Sequence, residues 1–152
     1  MPPDGQDHND IAEPWRDELV LYKRLTRPGH VQMVKSEAWI RVGGGTDRIG
    51  DIAVYLASDR PVLPIPDRVP DLVFEIVSPG RLAHERDYLK KRDDYFRLGV
   101  REYVITDRSE RKVTVLTHTP GGYAERVLTA ADTYTSPLLP GLAVPLAEIL
   151  GT

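Results

Sequence analysis

The chain has 152 residues, of which 41% are hydrophobic and 28% are charged, and its formal net charge is −3. This composition is typical of one globular domain that is long enough to bury a core. The absence of cysteine excludes disulfide bonds, thiolate metal sites and cysteine nucleophiles. The negative net charge argues against bulk attraction to nucleic acid, but it does not exclude a local basic face.

The first residues are polar and include neither a basic nor an apolar segment of the kind found in signal peptides. Residues 1–14 are therefore predicted to be a disordered tail, followed by a single domain over residues 15–152. No apolar run approaches the roughly 20 residues that a membrane span requires. We expect no membrane association and a cytoplasmic location.

The predicted elements then alternate between strands and helices. A weak helical pattern covers residues 15–25, and the spacing of Val31, Met33, Trp39 and Val42 suggests one or two strands before the turn "GGGTDRIG". A short strand starts at Asp51, and a loop with four prolines leads to the strand of residues 71–77.

The segment "HERDYLKKRDDYFRL" is the clearest helical pattern in the chain, and it ends before Gly99. Strands are predicted after it at residues 101–106, 111–118 and 123–129, and a short apolar helix closes the chain. This order predicts an α/β or α+β fold around one mixed sheet.

Glu75 lies in the middle of the otherwise apolar strand "LVFEIV". Burying an unpaired ionised carboxylate costs several kcal/mol, so we expect Glu75 to have a partner. Asp51 begins the preceding strand, and the two carboxylates would converge at one end of the sheet if these strands are neighbours. Carboxylates on adjacent strands are suited to a hard divalent cation such as Mg²⁺.

The following helix supplies a basic residue. Asp87, Lys91 and Tyr95 form an i, i+4, i+8 row, at the edge of an apolar stripe that includes Tyr88, Leu89 and Phe96, whereas Lys90 faces solvent. Lys91 could therefore reach carboxylates on the sheet. Two carboxylates and one ammonium group are what phosphodiester hydrolysis requires.

The segments "RIGDIAVY" and "VPDLVFEIVSP", the row of Asp87, Lys91 and Tyr95 before "GVREYVITD", and the final "SPLLPGLAVPLAEIL" occur in an order that resembles the Uma-two family of predicted restriction endonucleases. That family is grouped with the PD-(D/E)XK nucleases, and the resemblance runs from about Arg48 to Leu150. It implies a restriction-endonuclease-like mixed β-sheet flanked by helices, with Asp51 and Glu75 as the acidic pair. The superfamily lysine would fall at Val77, so Lys91 takes its place in this interpretation.

Two features differ from the family pattern. Gly50 stands before Asp51 where the family usually has proline, and the N-terminal region looks shorter, with no clear match to the family's first helix and strand in residues 1–40. These differences bear on activity more than on the fold.

The sequence thus leads to the hypothesis of a metal-dependent DNA endonuclease. Asp51 and Glu75, with the Ile76 carbonyl as a further ligand, would hold Mg²⁺ or alternatively Mn²⁺, and Lys91 would stabilise the transition state. The remaining expectations are supporting roles for two residues and phosphate contacts from three others: Asp87 and Tyr95; Arg81, Arg86 and Lys90. Cutting both strands of a duplex would require a homodimer, because one such centre makes one incision.

Two alternatives remain open. The same fold could be a catalytically inactive module that binds nucleic acid or protein. It could also be a plain interaction domain in which Glu75 satisfies a buried arginine such as Arg48. The separation of the Asp51, Glu75 and Lys91 side chains distinguishes these interpretations.

Overall fold

The computed structural model describes residues 4–26, 29–58, 64–77 and 81–151, and side chains within these ranges except at residues 4–11, 46 and 81–87. Helices and strands alternate along the described chain. Their bounds are α1 Asp4–Leu25, β1 Val31–Gly43, β2 Thr46–Leu56, β3 Leu72–Ile76, α2 Arg81–Leu98, β4 Glu102–Asp107, β5 Lys112–Thr119, β6 Gly122–Thr129, β7 Thr133–Tyr134, β8 Val144–Pro145 and α3 Leu146–Leu150.

Strands β1 to β6 form one sheet in chain order, and β7 pairs with β8 separately. All neighbours in the large sheet are antiparallel except β3 and β4, which are parallel and joined by α2. A parallel pair needs a crossover connection, and α2 provides it while covering one face of the sheet. The expected mixed sheet flanked by helices is confirmed.

Helix α1 covers the opposite face of the sheet, and Trp15 anchors it there. The Trp15 ring lies 5.0 Å from Phe74 and 5.2 Å from Tyr134, and its Nε1 donates a hydrogen bond to Thr106 Oγ1 at 2.9 Å. The helix begins at Asp4, inside the segment that the sequence predicts to be a disordered tail. None of the described helices is long and apolar enough to cross a membrane.

Helix α2 packs over a second apolar cluster on the other face, which includes Val73, Tyr95 and Tyr103. The prediction that Leu89 belongs to the buried stripe is wrong, because this side chain is 63% exposed whereas Tyr95 is fully buried. The buried face of α2 is therefore centred on the Lys91 and Tyr95 side of the helix.

Strands β1 and β2 form a long hairpin, and the regular alternation of its side chains between the two faces of the sheet is interrupted at Asp51. Ile52 packs in the cluster on the α1 side, whereas a Cβ on Gly50 would meet Val73 and Ile40 on the α2 side. The alternation of side chains between the two faces of the sheet is thus displaced by one residue at Asp51 of β2 and at Glu37, which lies opposite it in β1. Glu37 has a φ of 50°. Trp39, which precedes Ile40 of the α2-side cluster, faces the α1 side and is 56% exposed.

Candidate active site

Glu75 is the only carboxylate in β3, and every residue of that strand is buried. It is 2% exposed, and both of its oxygens have partners from α2. Lys91 Nζ donates a hydrogen bond to Oε2 at 3.0 Å, and the Tyr95 hydroxyl donates one to Oε1, also at 3.0 Å. Because α2 crosses back over β3, residues one turn apart on the helix both reach this carboxylate.

The ionisation of Glu75 is set mainly by its burial. Removal from water raises the pKa of the Glu75 carboxyl, the Lys91 ammonium beside it opposes that rise, and the nearby Asp51 carboxylate adds to it. Burial and the adjacent Glu75 carboxylate also raise the pKa of Tyr95, so its hydroxyl remains a hydrogen-bond donor. The site therefore combines an acid with a raised pKa and a fixed cation, which is a common feature of functional sites.

Asp51 lies beside Glu75 at the same end of the sheet. The antiparallel register pairs Ile52 with Phe74, and extending it by one residue places Asp51 opposite Glu75. The Asp51 Oδ2 atom accepts a hydrogen bond from the Ile76 N–H at 2.7 Å. The carboxylate thus takes the place of a backbone acceptor where β2 and β3 separate.

The backbone around Ile76 is held on both sides. The Tyr88 hydroxyl donates a hydrogen bond to the Ile76 carbonyl at 3.0 Å, and the next N–H, from Val77, donates to the Thr106 carbonyl at 2.8 Å. A carbonyl oxygen has two lone pairs, so the Ile76 oxygen retains acceptor capacity beyond the Tyr88 bond. The predicted carbonyl ligand is therefore fixed in place next to both acids.

A cavity of about 300 Å³ opens beside Asp51, between α1 and the β1–β2 hairpin. Its lining carries four carboxylates and one guanidinium group: Glu13, Asp17, Glu37, Asp51 and Arg16. Glu13 is not among the site residues that the sequence predicts, and it is one of six acidic residues in α1. No local signal distinguishes it from the others, since only the packing of α1 on the sheet brings it to this cavity.

The donor chemistry fits a hard divalent cation, but the set is incomplete within the described part of the chain. Asp51, Glu75 and the Ile76 carbonyl offer oxygen atoms, the ligands that Mg²⁺ and Mn²⁺ prefer. Among the described residues, no three acidic or histidine side chains already form a metal-binding group. Water or substrate oxygens would have to supply the remaining ligands, as is usual for Mg²⁺.

The other predicted site residues have different outcomes. Lys90 is exposed and lines a separate cavity with Arg48 and Arg97, away from Asp51 and Glu75. The side chains of Arg81, Arg86 and Asp87 lie outside the described residues.

Arg48 does not serve as the partner of Glu75. Its Nε lies 3.1 Å from Asp94 Oδ2, whereas the Glu75 carboxylate is bound by Lys91 and Tyr95. The alternative in which Glu75 merely satisfies Arg48 therefore disagrees with the structure.

Known proteins share this sequence pattern and architecture. The model of the Uma2 family, described as "Putative restriction endonuclease", matches residues 1–147. The chain belongs to the Uma2 family. The match includes residues 1–40, where the sequence shows no clear resemblance to the family's first helix and strand, so α1 and β1 lie within the Uma2 pattern. Family membership supports a nuclease function in general terms.

The fold is also shared with a crystal structure from Anabaena variabilis, described as "a putative nuclease belonging to DUF820". The TM-score is 0.71 at 16% identity, over 99% of this chain and 82% of the other. At this identity the similarity shows a common fold. A search of curated proteins gave no match.

Proposed function

We propose that this Uma2 protein is a metal-dependent endonuclease that hydrolyses phosphodiester bonds in DNA. The observation that carries the proposal is the buried contact between Lys91 Nζ and Glu75 Oε2 at 3.0 Å, with Asp51 anchored to the adjacent Ile76 N–H. A lysine and two carboxylates from three separate elements are thereby gathered at one end of the sheet.

In this proposal Asp51, Glu75 and the Ile76 carbonyl hold Mg²⁺ or Mn²⁺, and Glu13 lines the same cavity as Asp51. The bound ion would polarise the phosphoryl group and lower the pKa of a water molecule. Because Nζ of Lys91 is fixed beside Glu75, a phosphate placed there would lie within reach of the ammonium. The ammonium would then stabilise the negative charge that develops on the phosphoryl oxygens.

Tyr95 and Tyr88 have positioning roles in the same proposal. The Tyr95 hydroxyl donates a hydrogen bond to Glu75 Oε1, so Oε2 is the oxygen that could exchange its Lys91 contact for a metal ion. Tyr88 fixes the Ile76 carbonyl. The Ile76 N–H orients Asp51 in the same way. Side chains held by such contacts lose little entropy when a ligand binds, which favours catalysis.

A second candidate is the inactive binding module, and one observation favours it. Both oxygens of Glu75 already accept hydrogen bonds, and Lys91 supplies the positive charge that a cation would otherwise bring. In a catalytically inactive protein, this ion pair would serve only to stabilise the fold.

Calorimetric titration with MgCl₂ separates the two candidates. The endonuclease proposal predicts saturable binding by the wild type that is lost in Asp51→Asn, a variant that keeps a side-chain oxygen for the Ile76 N–H. An absence of binding by the folded wild type, in the presence of DNA as well as without it, would favour the inactive module.

A further inference from the structure

Trp39 and Ile49 form an apolar pair on the outer side of the β1–β2 hairpin. They are direct cross-strand partners, and they are 56% and 48% exposed. Such a pair stabilises a hairpin by about 0.2–1 kcal/mol, but most of the Trp39 surface stays in water. The hairpin therefore presents a large aromatic side chain that the core does not use.

The pair lies next to the candidate active site. Glu37 and Asp51 occupy the preceding level of the ladder, two residues away on each strand, and both line the acidic cavity. Two residues of extended strand span about 7 Å, which is close to the separation of neighbouring nucleotides in an extended strand. Gly50 and Ile40 face the α2 side of the hairpin, so the neighbouring Trp39 faces the α1 side, where the cavity opens.

Charged residues border the pair on both sides. Arg16 lies in the cavity wall, and Arg41 occupies the level beyond Trp39, where it contacts Asp47 and Asp67. The apolar surface is only two side chains wide, far less than the about 800 Å² per partner of a standard protein interface. A single planar, uncharged ring fits an apolar surface of this size better than a second protein does.

We infer that Trp39 is a stacking platform for an unpaired nucleobase of DNA bound at the Asp51 end of the candidate active site. The inference rests on the proposed function, and it names the substrate class as single-stranded DNA or a duplex with an unpaired nucleotide at the cleavage position. Within a regular duplex both faces of each base are covered by its neighbours, so only an unpaired base can stack on the ring.

Fluorescence offers a direct test, because the chain has only two tryptophans and Trp15 is fully buried. The probe is a short oligothymidylate in EDTA, which prevents metal-dependent cleavage. The spectrum of the wild type minus that of Trp39→Ala reports Trp39 alone. We expect the oligothymidylate to quench this signal, and Trp39→Ala to weaken binding by roughly 5- to 150-fold, equivalent to about 1–3 kcal/mol for one stacked base.

Val127→Ala is the matched control, because Val127 is 51% exposed on β6 at the opposite edge of the sheet. It should bind the oligothymidylate like the wild type. Equal affinities of wild type and Trp39→Ala would overturn the inference, and so would quenching by a perfectly paired duplex as strong as by the single strand.

Two further outcomes separate this inference from the proposed function. Quenching by the oligothymidylate without any cleavage in Mg²⁺ would support the stacking platform and refute the nuclease. A Trp39 signal that depends on protein concentration without DNA, together with a wild type that dimerises and a Trp39→Ala variant that stays monomeric, would show that a second copy covers the pair and would overturn the platform.

Discussion

At the scale of single residues, two glutamates show what distinguishes a candidate site from ordinary core structure. Glu75 and Glu102 are both 2% exposed and both accept two side-chain hydrogen bonds. Glu102 binds only hydroxyls, Tyr134 at 2.5 Å and Ser136 at 2.6 Å, whereas Glu75 binds an ammonium group and lies beside a second carboxylate. Burial alone therefore does not distinguish Glu75 from a structural glutamate, whereas its ammonium partner does.

Lys91→Met tests the role of the ammonium group. Loss of one fixed donor to a developing negative charge typically lowers kcat by about 100- to 1000-fold, and we expect an effect of that size on DNA cleavage. Lys35→Met is the matched control, since Lys35 is exposed on β1 and should leave kcat unchanged. Equal reductions in the two variants would contradict the assignment.

The same substitution removes the cation from a buried pair, which generally destabilises a protein by about 3–5 kcal/mol. A double variant, Lys91→Met with Glu75→Gln, removes the uncompensated charge as well. We expect chemical denaturation to show that the double variant regains most of the lost stability, while cleavage stays abolished. Recovery of cleavage together with stability would contradict the catalytic roles of both Lys91 and Glu75.

Glu102 leads to a prediction about pH. Burial raises the pKa of the Glu102 carboxyl, and the hydrogen bonds from Ser136 and Tyr134 only partly oppose this. The folded state therefore binds the proton more tightly than the unfolded state. Its contribution to stability is complete below the unfolded pKa and is lost as pH rises through the higher folded pKa.

Glu102→Gln lacks this titration, so the unfolding free energy of the variant should improve relative to wild type as pH rises. Denaturant melts at a series of pH values check this. Parallel stability curves for the two proteins would show that Glu102 has the same pKa folded and unfolded.

The residues of the site differ in how far the sequence could predict them. Glu75, Lys91 and Tyr95 follow from local periodicity, because one strand and one helix fix their directions and the crossover brings the two elements together. Glu13 could not be predicted, since its position depends on how α1 lies across the sheet. Leu89 was misplaced because a single apolar residue in a mostly charged helix weakly constrains the orientation of the helix.

At the scale of elements, Asp51 both ends the β2–β3 pairing and belongs to the candidate site. Asp51→Asn keeps an acceptor for the Ile76 N–H but loses the charge, so we expect lost cleavage with stability close to that of wild type. Asp51→Ala also leaves the N–H unsatisfied and should cost about 1–3 kcal/mol more. Equal stability of the two variants, measured by thermal and chemical unfolding, would disprove the structural part of the role.

Gly50 permits the close approach of β2 to the apolar cluster under α2. A Cβ at this position would lie 3.1 Å from Val73 Cγ1 and 3.3 Å from Ile40 Cδ1, with the Tyr95 hydroxyl at 4.0 Å. Overpacking of this kind costs about 1–3 kcal/mol, so Gly50→Ala should be destabilising. Gly121→Ala, where a Cβ meets nothing within 4 Å, is the control that should change stability little.

The elements themselves were largely predictable, and the irregularities were not. Strand β3, helix α2 and strands β4 to β6 carry uninterrupted patterns with clear ends, and the structure has them where the sequence places them. The change of facing at Glu37 and Asp51 has no sequence signal, because glutamate rarely adopts a positive φ. That change places Trp39 on the α1 side of the hairpin, where it is exposed.

At the scale of the whole molecule, one topological feature assembles the candidate site. The parallel pairing of β3 and β4 requires a crossover, and α2 is that crossover, so Lys91 is carried back over Glu75. The antiparallel pairing of β2 with β3 brings Asp51 to the same end. A fold with β3 and β4 joined by a hairpin would have no helix above Glu75.

The most direct test is DNA cleavage in Mg²⁺ by three folded proteins: the wild type, Glu75→Gln and Glu102→Gln. We expect the wild type and Glu102→Gln to cleave at similar rates, Glu75→Gln not to cleave, and EDTA to stop all cleavage. Cleavage by Glu75→Gln at the wild-type rate would contradict the account, as would an inactive wild type.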